Sequence, residues 1–140
     1  VTVNRRRLDP EQLAQDEKAI ANMDRMRPTY DEVYAFERLE LAKEPLQQKT
    51  WVQALRIGDV ALVGLPGEIF VEFGLEIKDK TPIKPTFCTS LANDWVGYVP
   101  TPKAMEEGSY ETQTARSSKL TAEAGPDMVR AALELLGTLA

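Results

Sequence analysis

The amino-acid sequence predicts a protein of the α/β (or α+β) class, in which a sheet with a β-hairpin is covered by helices. Two neighbouring runs rich in apolar and β-branched residues, at positions 52–57 and 60–65, are separated only by Gly58 and Asp59. This arrangement is typical of two strands joined by a two-residue turn. Segments with helical periodicity lie on both sides of the two runs. A chain of 140 residues has room for one domain, or for a large piece of one.

Two helices are predicted before the hairpin. Asp9 followed by Pro10 is a typical helix start, with aspartate at the cap and proline at the first position. The Met-Arg-Pro sequence at residues 26–28 is expected to end this helix. Thr29 and Glu32 have the spacing of a capping box, which predicts a second helix immediately afterwards.

The second apolar run begins the part of the chain that carries the candidate site. Because residues 60–65 are apolar on both faces, they are predicted to form a buried inner strand. Pro66 and Gly67 break this strand, and residues 68–78 are predicted to form a helix of about three turns. The remaining predicted elements are a strand at 86–91, a loop at 93–101, a short helix at 102–107 and an amphipathic helix at 126–139 with the apolar stripe Val129, Leu133, Leu136 and Leu139.

Composition excludes several function classes. The net charge of -5 argues against a nucleic-acid partner, which would favour a basic face. The one basic run, residues 5–7, is expected to be a solvated strand or loop. The chain has no histidine, which excludes Ser-His-Asp and Cys-His catalysis within it and removes the commonest ligand of catalytic zinc. The single cysteine, Cys88, is interpreted as a small buried apolar residue rather than a nucleophile.

Glu68 is the first candidate functional residue. It follows the predicted buried strand, and ligand-binding and catalytic groups often lie at the carboxyl ends of such strands. A glutamate in that position can bind a metal ion or act as a base. The alternative is structural, because a carboxylate in the first turn of the predicted helix would interact favourably with the helix macrodipole.

The loop at residues 91–101 is the second candidate region. It follows a predicted strand and is rich in polar and aromatic residues, and such loops on a fixed scaffold commonly carry binding or catalytic groups. In the alternative interpretation, Trp95 and Tyr98 are packing aromatics whose polar tips find backbone partners. Residues 106–111, which include Tyr110, are most simply a solvated acidic turn.

Taken together, these segments resemble the neutral/alkaline (non-lysosomal) ceramidase family. The resemblance rests on an ordered set of short motifs and covers most of residues 50–140. The set comprises an apolar hairpin ending in Leu-Pro-Gly-Glu at 65–68, the sequence Leu-Ala-Asn-Asp-Trp-Val-Gly-Tyr-Val-Pro-Thr at 91–101, Tyr-Glu at 110–111, Ser-Lys-Leu at 118–120 and the final amphipathic helix.

The resemblance implies a zinc-dependent amide hydrolase that cleaves ceramide into sphingosine and a fatty acid. In that family, one zinc ion is held by two histidines, a glutamate and a tyrosine. The last two correspond to Glu68 and Tyr98. A second tyrosine, which helps to hold the scissile amide, corresponds to Tyr110. Family members act outside the cytoplasm, so the resemblance implies an exported protein.

The sequence also departs from the family pattern. The two histidine ligands belong to earlier sequence of the family, so we expect residues 1–140 to be the C-terminal segment of a catalytic domain, closest to the shorter bacterial relatives. Alone, this chain is expected to be inactive, to bind no zinc tightly, and to associate with the N-terminal remainder of its protein or with itself. The Ile-Phe-Val-Glu-Phe stretch at 69–73 replaces a Thr-Thr-Met-containing stretch of the studied ceramidases.

Two alternatives to a ceramidase remain open. The first is a non-catalytic binding or assembly domain that retains the same scaffold. The second is an amidase or esterase that acts on a smaller or more polar N-acyl substrate, which the altered stretch after Glu68 favours.

Overall fold

The computed structural model describes all residues, 1–140, and confirms a fold with both helices and mixed sheets and with no closed barrel. No helix combines the length and apolar character that crossing a bilayer requires. The helices are α1 (Pro10–Ile20), α2 (Tyr30–Ala42), α3 (Val71–Lys80), α4 (Pro102–Glu107) and α5 (Ala124–Leu139). The strands are β1 (Thr2–Asn4), β2 (Gln47–Lys49), β3 (Gln53–Ile57), β4 (Val60–Gly64), β5 (Glu68–Ile69), β6 (Thr86–Thr89) and β7 (Tyr98–Val99).

The predicted hairpin is the centre of the largest sheet. β3 and β4 are antiparallel, with Ile57 opposite Val60 on either side of the two-residue turn. β6 lies parallel to β4 on its other side, so β4 is the inner strand, as predicted. Two further two-stranded sheets are present: β1 with β2, and β5 with β7.

One face of the three-stranded sheet carries the core. Fifteen buried apolar residues form a single cluster that joins this face to α3 and α5. The predicted apolar stripe of α5 is confirmed, because Val129 and Leu136 are buried while Leu133 and Leu139 pack against the cluster. Burial of such side chains is the main favourable contribution to folding, at about 1.5–3 kcal/mol each.

The opposite face of the same sheet is uncovered. Leu55 lies opposite Leu62, and Leu62 lies opposite Phe87, so these three side chains form one row across the sheet. With Ile57, which is 67% exposed, they form a surface that we call the open sheet face. All four residues are apolar, and none of the strand positions on this face bears a charge. A face of this composition is typical of one that packs against another layer.

α1 and α2 form an antiparallel pair outside the core. Both predicted helix starts are confirmed: Asp9 caps α1, and Thr29 and Glu32 form a reciprocal capping box on α2. The pair is joined by an ion pair in which Nε and Nη2 of Arg38 donate to both carboxylate oxygens of Asp16, at 2.8 and 2.6 Å. Asp16 is 2% exposed. A buried carboxylate in this position requires its partner, because an unpaired one would lose its hydration without compensation.

The expectation that residues 5–7 are solvated is wrong for two of the three arginines. The guanidinium of Arg5 donates to the carbonyl oxygen of Glu44. The guanidinium of Arg6 donates to the carbonyl oxygens of Thr112 and Ser118. The partners of both arginines lie in segments distant in the sequence, so local sequence patterns carry no information about these contacts. Only Arg7 is exposed as expected.

Three predicted boundaries are also wrong. α1 ends at Ile20, well before residues 26–28, and α5 begins at Ala124, two residues before its prediction. The predicted helix at 68–78 begins only at Val71, because Glu68 and Ile69 form β5. The amide of Glu68 donates to the carbonyl oxygen of Gly97 at 3.0 Å, so its backbone pairs across a sheet and not within a helix. The interpretation of Glu68 as a helix-terminal carboxylate is therefore wrong.

Cys88 is half-buried on β6, with its sulfur 3.8 Å from the carbonyl oxygen of Gly74. Burial raises the pKa of the Cys88 thiol above its ordinary value, so the neutral form predominates near neutral pH. A neutral thiol is a poor nucleophile, which agrees with a packing role.

The Asp16–Arg38 ion pair predicts a pH-dependent stability. Burial raises the pKa of Asp16, but the hydrogen bonds from Arg38 and Gln12 outweigh it and hold the pKa below its ordinary value. The stabilisation is therefore present above the unfolded-state pKa of about 3.9 and is lost as the pH falls through the native value. We expect Asp16→Asn to lower the free energy of unfolding by about 1.5–3 kcal/mol at pH 7, and by progressively less below pH 4. Urea denaturation between pH 3 and pH 7 measures this difference.

Glu76→Gln is the matched control, because Glu76 pairs with Lys80 on the exposed surface of α3. Its cost should be small at every pH, because an exposed ion pair is screened by solvent. Equal costs for the two substitutions at pH 7 would contradict the structural importance of the buried pair.

Candidate functional site

The parallel pair of short strands β5 and β7 is the foundation of the candidate site. Its register places Glu68 directly opposite Tyr98 and Ile69 opposite Val99. Residues that are opposite in register project from the same side of a sheet, so the pairing brings together two side chains that lie 30 positions apart in the sequence. The region predicted as a loop at 93–101 therefore contains a strand that the sequence analysis missed.

Gly67 allows β5 to approach β7 closely, and Gly97 allows β7 to approach the segment that contains Ser117. A Cβ atom on Gly67 would lie 2.6 Å from the carbonyl oxygen of Gly97, and a Cβ on Gly97 would lie 2.3 Å from that of Ser117. Gly97 also has φ of +87°, a conformation that residues with side chains rarely adopt. Both positions precede a candidate site residue, Glu68 in one strand and Tyr98 in the other. The backbone spacing at the site is therefore set by the absence of side chains at these two positions.

The two candidate tyrosines are in contact. The hydroxyl groups of Tyr98 and Tyr110 share a hydrogen bond at 3.0 Å, and their rings meet edge to face at a centroid distance of 5.6 Å. The hydrogen bond with Tyr110, followed by the nearby Glu68 carboxylate, raises the pKa of the Tyr98 phenol. Tyr98 is therefore a neutral phenol, and it lies beside the carboxyl group of Glu68. Glu68, Tyr98 and Tyr110 thus converge, although local sequence patterns place them in three different elements.

Trp95 completes the polar contacts of Glu68. Its indole Nε1 donates to Oε1 of Glu68 at 3.1 Å. The interpretation that the polar tips of Trp95 and Tyr98 find backbone partners is wrong, since one contacts a carboxylate and the other a phenol. The sequence contained a signal for this contact, because both aromatic residues lie in the loop singled out for function.

The loop that carries Trp95 is held in an unusual conformation. Leu91 and Asn93 have φ of +55° and +71°, and a positive φ is uncommon for a leucine. The carboxylate of Asp94 accepts hydrogen bonds from the Thr50 hydroxyl at 2.7 Å and from the Trp95 amide at 2.8 Å. These contacts attach the loop to the buried residue that precedes β3. Strained backbone held by surrounding contacts is characteristic of functional loops.

Arg6 supports the segment that carries Tyr110. The segment turns through a 3-10 helix at Tyr110–Thr112, and Arg6 donates to the carbonyl oxygens of Thr112 and Ser118 at the two ends of the following loop. The Ser118 hydroxyl in turn donates to the carbonyl oxygen of Glu111 at 2.6 Å. This supporting role of Arg6 was not predicted, because a lone basic run of three residues carries no local signal for it.

A shallow groove of about 620 Å³ adjoins the site through Trp95. Tyr34 and Glu37 of α2 form one side, and Trp95, Arg116 and Lys119 form the other. Two ion pairs, Arg116 with Glu37 and Lys119 with Glu44, lie along it. The groove is therefore lined by charged and aromatic groups and is not a purely apolar channel.

The candidate metal ligands of the site are the side-chain oxygen atoms of Glu68 and Tyr98. A carboxylate oxygen is an accepted zinc ligand, and the phenol of Tyr98 lies beside the Glu68 carboxylate. No group of three or more Cys, Asp or Glu side chains in residues 1–140 is arranged to hold a metal ion. Glu68 and Tyr98 offer two oxygen atoms, fewer than the four ligands of a usual zinc site.

No protein-family model and no curated protein sequence matches this chain. Among solved structures, it superimposes on neutral ceramidase from Pseudomonas aeruginosa with a TM-score of 0.52 and 20% identity, over 63% of this chain. A second match, a ceramidase complexed with C2, also has a TM-score of 0.52, with 19% identity over 67% of this chain.

The chain has a ceramidase-like fold. In both comparisons, the match spans only 15% of the length of the ceramidase chain. At this level of identity the likeness concerns the fold, and the activity of the larger proteins does not transfer with it.

The close approach at Gly97 predicts a large effect of a single methyl group. Gly97→Ala should destabilise the protein by about 4 kcal/mol or more, because the new Cβ would overlap the carbonyl of Ser117 and the backbone would be strained as well. Chemical denaturation measures the free energy of unfolding.

Gly58→Ala is the control for backbone strain alone. Gly58 has φ of +61°, but a Cβ there would meet no atom within 4 Å. Its expected cost is about 1–2 kcal/mol. If the two variants lost equal stability, the contact between Gly97 and Ser117 would add no cost beyond backbone strain.

Proposed function

We propose that this chain is the C-terminal segment of a zinc-dependent amide-hydrolase domain similar to that of neutral ceramidases. The observation that carries the proposal is the convergence of Glu68, Tyr98 and Tyr110 through the β5–β7 pairing. The ceramidase-like fold supports the same conclusion independently.

In this proposal the three residues have two roles. Glu68 and Tyr98 hold the zinc ion together with two histidines from the remainder of the protein. Bound zinc supplies Lewis-acid chemistry, polarising the amide carbonyl and lowering the pKa of water. The Tyr110 hydroxyl, 3.0 Å from that of Tyr98, donates a hydrogen bond to the carbonyl oxygen of the substrate as negative charge develops on it.

The N-terminal remainder of the protein is the proposed partner of this segment. Helices cover only one face of the sheet that contains β3, β4 and β6. The open sheet face is apolar and uncharged, which suits burial against a second layer of the same domain. In the isolated chain, the same surface favours self-association.

Zinc content tests the proposal. The full-length gene product should contain stoichiometric zinc, whereas its Glu68→Ala variant and the isolated 140-residue chain should contain none. Glu72→Ala is the matched control, since Glu72 is exposed in the first turn of α3 and should leave the zinc in place. Elemental analysis of the four purified proteins gives the result.

Absence of zinc from the full-length product would overturn the hydrolase proposal. It would favour a non-catalytic binding or assembly domain on the same scaffold. Two histidines at the ends of buried strands in the upstream sequence would favour the enzyme.

A second candidate, an amidase or esterase for a more polar N-acyl substrate, is favoured by the groove next to Trp95. The ion pairs Arg116–Glu37 and Lys119–Glu44 along it suit polar substrate groups better than a long acyl chain. The replacement of the Thr-Thr-Met-containing stretch after Glu68 agrees with this candidate.

A panel of N-acyl substrates with different acyl lengths distinguishes the two candidates. If polar substrates are preferred, kcat/KM for short acyl groups should exceed that for long-chain ceramide by at least about tenfold, which corresponds to 1.4 kcal/mol. A preference for long-chain ceramide would eliminate the second candidate and leave ceramide as the substrate.

A further inference from the structure

We propose that Trp95 is a positioning residue that fixes the orientation of the Glu68 carboxylate for metal binding. The inference rests on the proposed function of Glu68 and assigns a role to a residue outside the proposed set of ligands. It is carried by the hydrogen bond from the indole Nε1 of Trp95 to Oε1 of Glu68, at 3.1 Å.

Hydrogen bonds hold the backbone of Trp95 in place. The amide of Trp95 donates to Oδ1 of Asp94, and Oδ2 of Asp94 accepts a hydrogen bond from the hydroxyl of Thr50. Thr50 is buried and precedes β3, so the loop is attached to the main sheet. The backbone that carries the indole is thus anchored independently of Glu68.

Packing does not account for the direction of the indole. Trp95 is 53% exposed, so its N–H could be hydrated without a protein partner. It is instead directed at the carboxylate of Glu68, the residue that the β5–β7 register places opposite Tyr98. One wall of the groove beside α2 is formed by the same side chain.

The hydrogen bond from Trp95 restricts the rotation of the Glu68 carboxylate. A donor on one carboxylate oxygen fixes the plane of the group and leaves lone pairs of the other oxygen available to a metal ion. Partners of metal ligands orient those ligands, and losing one typically weakens metal affinity by about 10–100-fold. Trp95→Phe removes the N–H donor and retains an aromatic wall for the groove.

The hydrogen bond itself is tested in the 140-residue chain. The chain has two tryptophans, Trp51 and Trp95, so its ¹H–¹⁵N spectrum contains two indole N–H resonances. Trp51→Phe identifies the resonance of Trp95 as the one that remains. Glu68→Ala should shift the Trp95 resonance and leave that of Trp51 in place. A Trp95 resonance that does not respond to Glu68→Ala would overturn the inference.

The role in metal binding is tested in the full-length gene product by competition with a chromophoric zinc chelator. Trp95→Phe should raise the dissociation constant for zinc by about 10–100-fold, with the thermal unfolding midpoint of the zinc-free protein unchanged. Trp51→Phe is the matched control, since Trp51 is 72% exposed and the indole that donates to Glu68 is that of Trp95, and it should leave both quantities unchanged.

The outcomes separate this inference from the proposed function. Zinc affinity that is abolished by Glu68→Ala but equal in Trp95→Phe and the wild type would overturn the role of Trp95 alone. A full-length protein that binds no zinc would overturn the proposed function and this inference with it.

Discussion

The site depends on a two-residue parallel pairing between β5 and β7. This pairing sets Glu68 opposite Tyr98, and it exists because Gly67 and Gly97 permit backbone contacts that any side chain would block. Short strands of this kind contribute little stability themselves, so their geometry is imposed by the surrounding loops and the core. Backbone packing therefore determines which side chains meet at the site.

Much of the scaffold could be predicted from local patterns. The hairpin turn, the inner strand β4, both capping motifs and the apolar stripe of α5 follow from residue spacing, since each depends on neighbours within a few positions. The start of α3 could not be predicted in this way. Glu68 and Ile69 have a helix-like context, but the amides of Glu68 and Phe70 donate to the carbonyl oxygens of Gly97 and Val99, about 30 residues further along the chain.

The sequence could indicate which residues are candidates for the site but not how they are arranged, and their roles stay predictions. Glu68, Tyr98 and Tyr110 were singled out from their motifs, and the structure brings them together. The partners that hold them were missed or misjudged. Arg6 was expected to face solvent, and Trp95 was expected to contact backbone, because hydrogen bonds between distant segments leave no periodic trace in a sequence.

The hydrogen bonds of Arg6 have a consequence for how the protein is made. This residue lies near the start of the segment, and its two carbonyl partners lie 106 and 112 positions later. Contacts of such long sequence separation form slowly, because most of the intervening chain must be ordered first. The local order of the turn that carries Tyr110 is therefore expected to form late in folding, after the intervening segments are in place.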